Sequence, residues 1–353
     1  MLTLAGFAKP YLYGARLFGG VDAEFRDGEI VAVYGRGGSG KTSFLKAICG
    51  ATDAEGGVLL DGKPIARKTD KVIMVFDDGA VFGGKTVYDN LAYPLRIRNV
   101  PKADIAAAVI AAAEETGIAA CLDMRARKLN AADLRRMSLA RLLVRPARLC
   151  LVDEPTKDLS REDAEEVFRD FVSVARKLAA AGATVLFSTS SREESLAFGG
   201  RITVLAGGEV KQIGTAADIR RAPESIWAAE LVEPRYNVAK AVLTDENGAL
   251  KLVFGEGDAI EAEALRGRVA PSYIGEEVLA GWFPEDAAKG EGARRAPGAY
   301  AAGDGFGRIL MTEDGIAERT EGESVSLRPD IARVTLFDRT NECSVMTSAG
   351  EEK

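Results

Sequence analysis

The sequence predicts an α/β fold built on a doubly wound, mostly parallel sheet, followed by a smaller all-β domain. Short, wholly apolar runs alternate with stretches of helical periodicity, as buried parallel strands and their crossover helices do. After residue 232 the pattern changes to short alternating segments separated by turn residues, which is typical of a small barrel or sandwich. A length of 353 residues also favours two domains, which we place at 1–232 and 233–353.

The elements of the first domain are predicted in order from hydrophobic periodicity. β-structure over residues 1–34 ends in an apolar strand, and further strands are expected at 57–60, 71–76, 148–153 and 183–188. Helices are expected at 104–116, 131–144 and 161–181. Residues 78–100 are rich in glycine and proline and are predicted to be mostly loop. Residues 86–147 together form a predicted helical subdomain.

In the second domain the pattern predicts six short strands and one mobile loop, at 290–298. The strands are expected at 238–243, 250–254, 278–282, 308–311, 324–327 and 333–337.

The composition is that of a globular protein, with 47% hydrophobic residues and a formal net charge of −7. This acidic balance argues against a general nucleic-acid binder, which needs a basic face to displace counterions. No apolar run reaches the ~18 residues needed to cross a bilayer, and we see no signal peptide. The chain contains no histidine, which excludes histidine bases and histidine metal ligands.

Residues 35–42 match the phosphate-binding P-loop pattern G-x-x-x-x-G-K-[ST]. They lie between a predicted strand and a predicted helix start, where backbone N–H groups and the helix dipole point at an anion. Lys41 is expected to reach the β- and γ-phosphates, and the Thr42 hydroxyl is expected to bind Mg²⁺. The predicted phosphate-binding residues are Gly35, Gly37, Gly38, Ser39, Gly40, Lys41, Thr42 and Ser43.

Two acids, Asp153 and Glu154, directly follow the apolar run at 149–152. In a P-loop enzyme the acid at the end of such a strand holds Mg²⁺ together with the P-loop hydroxyl, a role that Asp153 fits. Glu154 is then the candidate base for an attacking water.

These motifs resemble the ATP-binding subunits of ABC transporters, in particular the maltose and glycerol-phosphate importer ATPases, over nearly the whole chain. The resemblance implies that Tyr13 stacks on adenine and that Asn130, Ala131 and Ala132 occupy the place of the L-S-G-G-Q signature. It also implies ATP and Mg²⁺ as cofactors, a P-loop NTPase fold with a RecA-like core sheet and a helical insert, and a C-terminal regulatory barrel of the OB or TOBE type. Such a subunit lies at the cytoplasmic face of the membrane, as a peripheral protein.

Four motifs depart from the family pattern. Asp77 replaces the glutamine that meets Mg²⁺, and Ser190 replaces the switch histidine. The signature lacks its glycines, so we expect methyl groups on Ala131 and Ala132 where the backbone approaches phosphate, and a negative charge nearby on Asp133. The Ser-x-Leu-Asp segment after the two acids has become Lys-Asp-Leu-Ser at 157–160.

These departures lead to the hypothesis that the chain binds nucleotide well and hydrolyses it slowly, as the impaired half of a heterodimer. The alternatives are a fully active homodimer and a nucleotide-sensing scaffold without a transport role; a DNA-processing ATPase is disfavoured by the charge. The expected partners are membrane permease subunits, a second ATP-binding subunit and, indirectly, a substrate-binding protein, but no nucleic acid. The candidate permease contact, which could equally be packing of the insert, comprises Val81, Phe82, Val87, Tyr88 and Leu91. The transported substrate cannot be predicted from this chain, and a carbohydrate or polyol phosphate rests on the resemblance alone.

Overall fold

A computed structural model of the chain describes residues 1–11, 16–66, 69–76, 81–145, 147–255, 258–289 and 327–346. The chain divides into two compact units, Met1–Ala216 and Ala217–Lys353. This division lies N-terminal to the domain boundary predicted at residue 232.

The first unit contains ten strands in the described part of the chain. They are β1 Leu2–Pro10, β2 Arg16–Phe25, β3 Ile30–Tyr34, β4 Glu55–Leu60, β5 Lys63–Pro64, β6 Val72–Val75, β7 Leu149–Asp153, β8 Thr184–Thr189, β9 Arg201–Ala206 and β10 Glu209–Thr215. Six of them form the central sheet in the order β10-β9-β3-β8-β7-β6, parallel except for the β9–β10 hairpin. The other four form an antiparallel sheet in the order β2-β1-β4-β5. The predicted α/β class with a mostly parallel sheet is confirmed.

Helices alternate with the strands along the chain, and helices α1 to α6 lie wholly in the first unit. They are α1 Lys41–Ile48, α2 Val87–Arg96, α3 Lys102–Glu115, α4 Ala131–Leu143, α5 Arg161–Ala180, α6 Arg192–Leu196, α7 Ala216–Arg221 and α8 Ile226–Val232. Helices α2, α3 and α4 pack on one another around a shared apolar core and form the helical insert. Among the helices that the structure describes, none is long and apolar enough to span a membrane.

Helix α2 corrects the prediction that residues 78–100 are mostly loop. Thr86 caps the helix by accepting a hydrogen bond from the Asp89 N–H at 3.0 Å. The buried Asn90 side chain bonds both backbone groups of Phe82, which fixes the turn before the helix. Pro94 lies inside the helix, where the sequence pattern favoured a break. The Thr86 cap and the burial of one face of α2 therefore outweigh the glycine and proline content from which a loop was predicted.

The central strands β7 and β8 are buried along their whole length, which explains their unbroken apolar pattern. Their parallel pairing places Asp153 opposite Ser188, and the pairing of β3 with β8 places Tyr34 opposite Thr189. The carboxyl ends of three adjacent strands thus meet at one edge of the sheet, which is where α/β folds bind ligands.

Three phenylalanines hold α1 against the antiparallel sheet. The ring of Phe44 on α1 meets Phe7 and Phe18 edge to face, at centroid distances of 5.5 and 5.1 Å. All three side chains are buried. Since α1 directly follows the P-loop, this cluster fixes the helix whose first turn faces the site.

The second unit is built mainly from β-structure in its described residues. Its strands are β11 Asn237–Glu246, β12 Ala249–Phe254, β13 Asp258–Glu261, β14 Glu277–Trp282, β15 Ala287–Lys289, β16 Leu327–Pro329 and β17 Thr335–Asp338. Five of them form an antiparallel sheet in the order β13-β12-β11-β14-β17, over a core that includes Leu243, Leu252 and Leu336. The assignment to an OB or TOBE barrel stays a prediction. The strand predicted at 308–311, most of the one at 324–327 and the loop at 290–298 lie outside the described residues.

Replacing Phe44 with alanine should lower the free energy of unfolding of the first unit by about 3–5 kcal/mol, because the truncation leaves a cavity among three rings. Urea unfolding followed by far-UV circular dichroism measures this change. Both tryptophans lie in the second unit, so their fluorescence should move little. The control is Phe82→Ala, whose side chain is 47% exposed and should cost no more than about 0.5 kcal/mol. Equal losses for the two variants would contradict the packing role of the cluster.

Candidate functional site

The loop between β3 and α1 turns tightly and leaves its backbone open. A Cβ on Gly35 would lie 2.5 Å from the Leu205 carbonyl oxygen, so only glycine fits there. Gly38 and Gly40 take φ values of 79° and 102°, in the left-handed region that favours glycine. A Cβ on Gly37, by contrast, would meet nothing within 4 Å. The open space above Gly37 suits a ligand that approaches the backbone closely.

Lys41 is the first residue of α1, and its buried side chain folds back over the loop. Its Nζ donates to the carbonyl oxygens of Gly35 and Arg36, at 2.8 and 3.3 Å. The same ammonium group forms an ion pair with Glu154 Oε1 at 2.9 Å, although these residues belong to different motifs. A phosphate that binds Lys41 must therefore compete with the carboxylate of Glu154.

Thr42 and Asp153, the predicted Mg²⁺ ligands, bring two oxygen atoms together at the edge of the sheet. The Thr42 hydroxyl donates to Asp153 Oδ1 at 3.1 Å, and Ser188 Oγ donates to the same oxygen at 2.6 Å. No cluster of three or more metal-ligating acids, cysteines or histidines occurs among the described residues. One carboxylate and one hydroxyl suit Mg²⁺ held largely by substrate phosphates and water, as this ion prefers.

Ser39 and Ser43 complete the phosphate-binding set predicted from the sequence. Ser39 is only 6% exposed, and its Oγ has no hydrogen-bond partner in the part of the chain that the structure describes. A buried hydroxyl of this kind is costly unless a ligand or water engages it. Ser43 lies half-buried in the first turn of α1. The residues present thus fit a bound polyphosphate with Mg²⁺.

Glu154 is held in a strained backbone conformation, with φ at 41°. Its N–H donates to Ser188 Oγ at 3.0 Å, so Ser188 bonds both predicted acids. Its second carboxylate oxygen lies 4.0 Å from Lys157 Nζ. Ser188 was not among the predicted site residues, because its position beside Asp153 depends on the pairing of β8 with β7. The signal available was a serine at the end of a strand expected to lie in the same sheet.

Ser190 directly follows β8 and is exposed. Its neighbourhood is held by Glu194 on α6, whose carboxylate accepts hydrogen bonds from Thr189 Oγ1 and, at 2.6 Å, from Thr156 Oγ1. This carboxylate links the segment after β7 to the segment after β8. The sequence analysis assigned no role to Glu194, which no motif marks.

The altered signature begins α4 with an intact helix cap. Asn130 Oδ1 accepts from the Asp133 N–H at 2.7 Å, as a capping residue does. Asp133 also pairs with Arg136 at 3.5 Å, so the negative charge expected near phosphate has a counter-charge in the same chain. Hydrogen bonding to Asp170 raises the pKa of Arg136, which therefore stays charged.

The two alanines in the predicted signature differ in exposure. Ala131 is exposed at the start of α4. Ala132 is 5% exposed and packs its methyl group inside the protein. The expectation that both methyl groups lie where the backbone approaches phosphate stays a prediction, and the burial of Ala132 argues against it for that residue. The predicted adenine-stacking Tyr13 and metal ligand Asp77 lie outside the described residues.

The candidate permease contact separates into buried and exposed members. Val87 and Leu91 are wholly buried and pack the core of the helical insert. Phe82 is 47% exposed and meets the ring of Tyr93, which is 48% exposed, edge to face with centroids 4.9 Å apart. The structure thus assigns Val87 and Leu91 to packing. Tyr93, which the prediction omitted, belongs to the exposed surface.

Comparison with known proteins identifies the family. The profile described as ABC transporter matches residues 18–157. The sn-glycerol-3-phosphate import ATP-binding protein UgpC of Cupriavidus necator is 30% identical over 293 residues, covering 80% of this chain and 79% of the relative. The chain belongs to the ABC transporter family of ATP-binding subunits. The predicted resemblance to the carbohydrate and glycerol-phosphate importer ATPases is confirmed.

Other matches of this ABC subunit agree with that assignment. The oligosaccharides import ATP-binding protein MsmX of Bacillus subtilis is 31% identical over 268 residues, covering 74% of the chain and 71% of the relative. The sulfoquinovosyl glycerol transport ATP-binding protein SmoE of Agrobacterium fabrum is 28% identical over 353 residues, covering 94% and 96%. The solved structure of cbiO1 from Clostridium perfringens, part of the transporter complex cbiONQ, superposes with a TM-score of 0.55 at 23% identity. It covers 66% of this chain and 96% of that one, and it supports the fold.

Replacing Glu154 with glutamine should tighten the binding of Mg²⁺-ATPγS about tenfold, because the amide no longer competes with phosphate for Lys41. Isothermal titration calorimetry measures the affinity. The matched control is Glu162→Gln, an exposed carboxylate in the first turn of α5, which should leave affinity unchanged. Weaker binding by the Glu154 variant would show that the ion pair with Lys41 does not oppose the ligand.

Proposed function

We propose that this chain is the ATP-binding subunit of an importer for a carbohydrate or a polyol phosphate, and that it works at the cytoplasmic face of the membrane with permease subunits. The proposal is supported by the position of the P-loop and of the two acids at the end of β7, which lie together at one edge of the central sheet. The Thr42 hydroxyl lies 3.1 Å from Asp153 Oδ1, and the side chain of Lys41, the residue before Thr42, bonds the Gly35 carbonyl oxygen of the glycine loop. The substrate class rests on what the named relatives import.

Each residue of the site has a separate role in this proposal. The loop N–H groups and Lys41 hold the phosphate chain. To bind phosphate, Lys41 breaks its ion pair with Glu154. Thr42 and Asp153 hold Mg²⁺, which supplies positive charge against the phosphates. Once released from Lys41, Glu154 accepts a proton from the attacking water. Its backbone, held by Ser188, keeps the carboxylate at the edge where the phosphates end.

We also propose that the chain binds nucleotide better than it hydrolyses it. The support is that Ser190 is exposed and uncharged, and that the chain has no histidine to stabilise the terminal phosphate. Loss of a positioned acid or base lowers a rate by about 10²–10⁴, while the groups that bind phosphate remain. Both a homodimer of this chain and a heterodimer with a complete second ATPase are compatible with that chemistry. They differ in whether a second polypeptide co-purifies.

The variant Ser190→His should raise ATP hydrolysis by the purified chain at least about tenfold, because an imidazole after β8 can stabilise the terminal phosphate and the shorter serine hydroxyl cannot. Phosphate release at saturating Mg²⁺-ATP measures the rate. Ala197→His, which places an imidazole on the exposed end of α6, is the control and should have no effect. If the unmodified chain already hydrolyses ATP at the rate of an intact importer ATPase, the proposed impairment is wrong.

The exposed ring pair on the helical insert is the surface that we propose for the permease. Around it, hydrogen bonds join the turn at Gly83 and Lys85 to the segment 124–127, so that both lie on one surface. This surface exposes the basic side chains of Lys85, Arg125, Arg127 and Lys128. Apolar rings with surrounding cations suit a permease segment that carries apolar and acidic side chains.

Replacing Phe82 or Tyr93 with glutamate should reduce recovery of the permease subunits with the affinity-tagged chain at least about tenfold, because buried aromatic anchors dominate such interfaces. Co-purification from detergent-solubilised membranes, quantified by mass spectrometry, measures this. Ile110→Glu, an exposed apolar residue on α3, is the matched control and should retain the permease. If the unmodified chain recovers no integral membrane protein, the nucleotide-sensing scaffold is the better description.

A further inference from the structure

Lys157 places a second cation beside the catalytic carboxylate. Its Nζ lies 4.0 Å from Glu154 Oε2, while Lys41 Nζ lies 2.9 Å from Glu154 Oε1. One carboxylate thus faces a lysine at each oxygen. The two lysines differ in their surroundings, because the Lys41 side chain is 5% exposed and the Lys157 side chain is 42% exposed.

The backbone that carries Lys157 is fixed from three directions. Its N–H donates to the Glu154 carbonyl oxygen at 3.2 Å, and its own carbonyl oxygen accepts from Arg135 on α4 at 3.1 Å. The preceding residue, Thr156, is bonded to Glu194 on α6. The ammonium group is therefore presented from an anchored turn, close to Glu154.

Nucleotide binding changes the electrostatics of this arrangement. When a Mg²⁺-nucleotide takes Lys41, the Glu154 carboxylate loses its closest counter-charge while a complex of net negative charge enters the site. A partly buried carboxylate beside such a complex, with no lysine to replace Lys41, is strongly disfavoured. Lys157 Nζ already lies 4.0 Å from Glu154 Oε2, so a small shift of either side chain shortens the contact.

We propose that Lys157 is a positioning residue that receives the Glu154 carboxylate when nucleotide displaces it from Lys41. It thereby lowers the repulsion between that carboxylate and the incoming phosphates and holds it at the rim of the site. This inference rests on the proposed function, since it requires that the P-loop binds a nucleotide. It concerns a lysine at a position where the family pattern has serine.

A double-mutant cycle tests the proposal. Binding of Mg²⁺-ATPγS is measured by isothermal titration calorimetry for the unmodified chain, Lys157→Gln, Glu154→Gln and the double variant. Lys157→Gln should weaken binding about fivefold in the unmodified chain and less than about twofold in the Glu154→Gln background, where no carboxylate needs a counter-charge. Lys157→Arg should restore affinity to within about twofold of the unmodified chain, because it keeps the charge.

The control is Lys102→Gln, an exposed lysine at the start of α3, which should leave affinity unchanged in both backgrounds. An equal loss in both backgrounds would overturn the proposal, since the lysine would then act on the phosphates or on the fold rather than through Glu154. No loss in either background would overturn it as well. Absence of binding by the unmodified chain would instead refute the proposed function, and the inference with it.

Discussion

The hydrogen-bond and ion-pair network at the carboxyl ends of β3, β7 and β8 constrains the rest of the first unit. Asp153 bonds the hydroxyls of Thr42 and Ser188, and Glu154 joins the same network through Ser188 and Lys41. These contacts are possible only if three strands are parallel, in register and adjacent. The fully buried strands provide that order, and the packing of α1 keeps the glycine loop above it. Lys41 offsets the charge of Glu154, and two hydroxyls bond Asp153, which lowers the cost of burying these carboxylates.

Hydrogen bonds connect this edge of the sheet to helices α4 and α6. Glu194 bonds Thr156 and Thr189, so the segments after β7 and β8 cannot move independently. Arg135 reaches from the altered signature helix to the turn at Lys157. The helical insert is thus tied to the turn that follows Glu154. A change in the position of Glu154 can reach α4 through two hydrogen bonds.

The parts of the site that depend on consecutive residues were predictable, and the parts that depend on packing were not. The P-loop and the acids at 153 and 154 carry their chemistry in a fixed local spacing, so a pattern finds them. Ser188 became visible only through strand pairing, and Lys157 only through the turn that folds it back on Glu154. Helix α2 was missed because glycine and proline signals outweighed one capping threonine. The burial of Ala132 required the helix orientation, which no local pattern contains.

The contact between Lys41 and Glu154 has a consequence for which ligands can occupy the loop. Glu154 is an anion that the fold itself holds beside Lys41, so an anionic ligand must displace it from the lysine. The contacts that the ligand makes elsewhere in the loop must offset the loss of that ion pair. Inorganic phosphate offers fewer such contacts than a nucleotide, which adds further phosphates and a base. Under the proposed function, the carboxylate therefore disfavours the smaller anion.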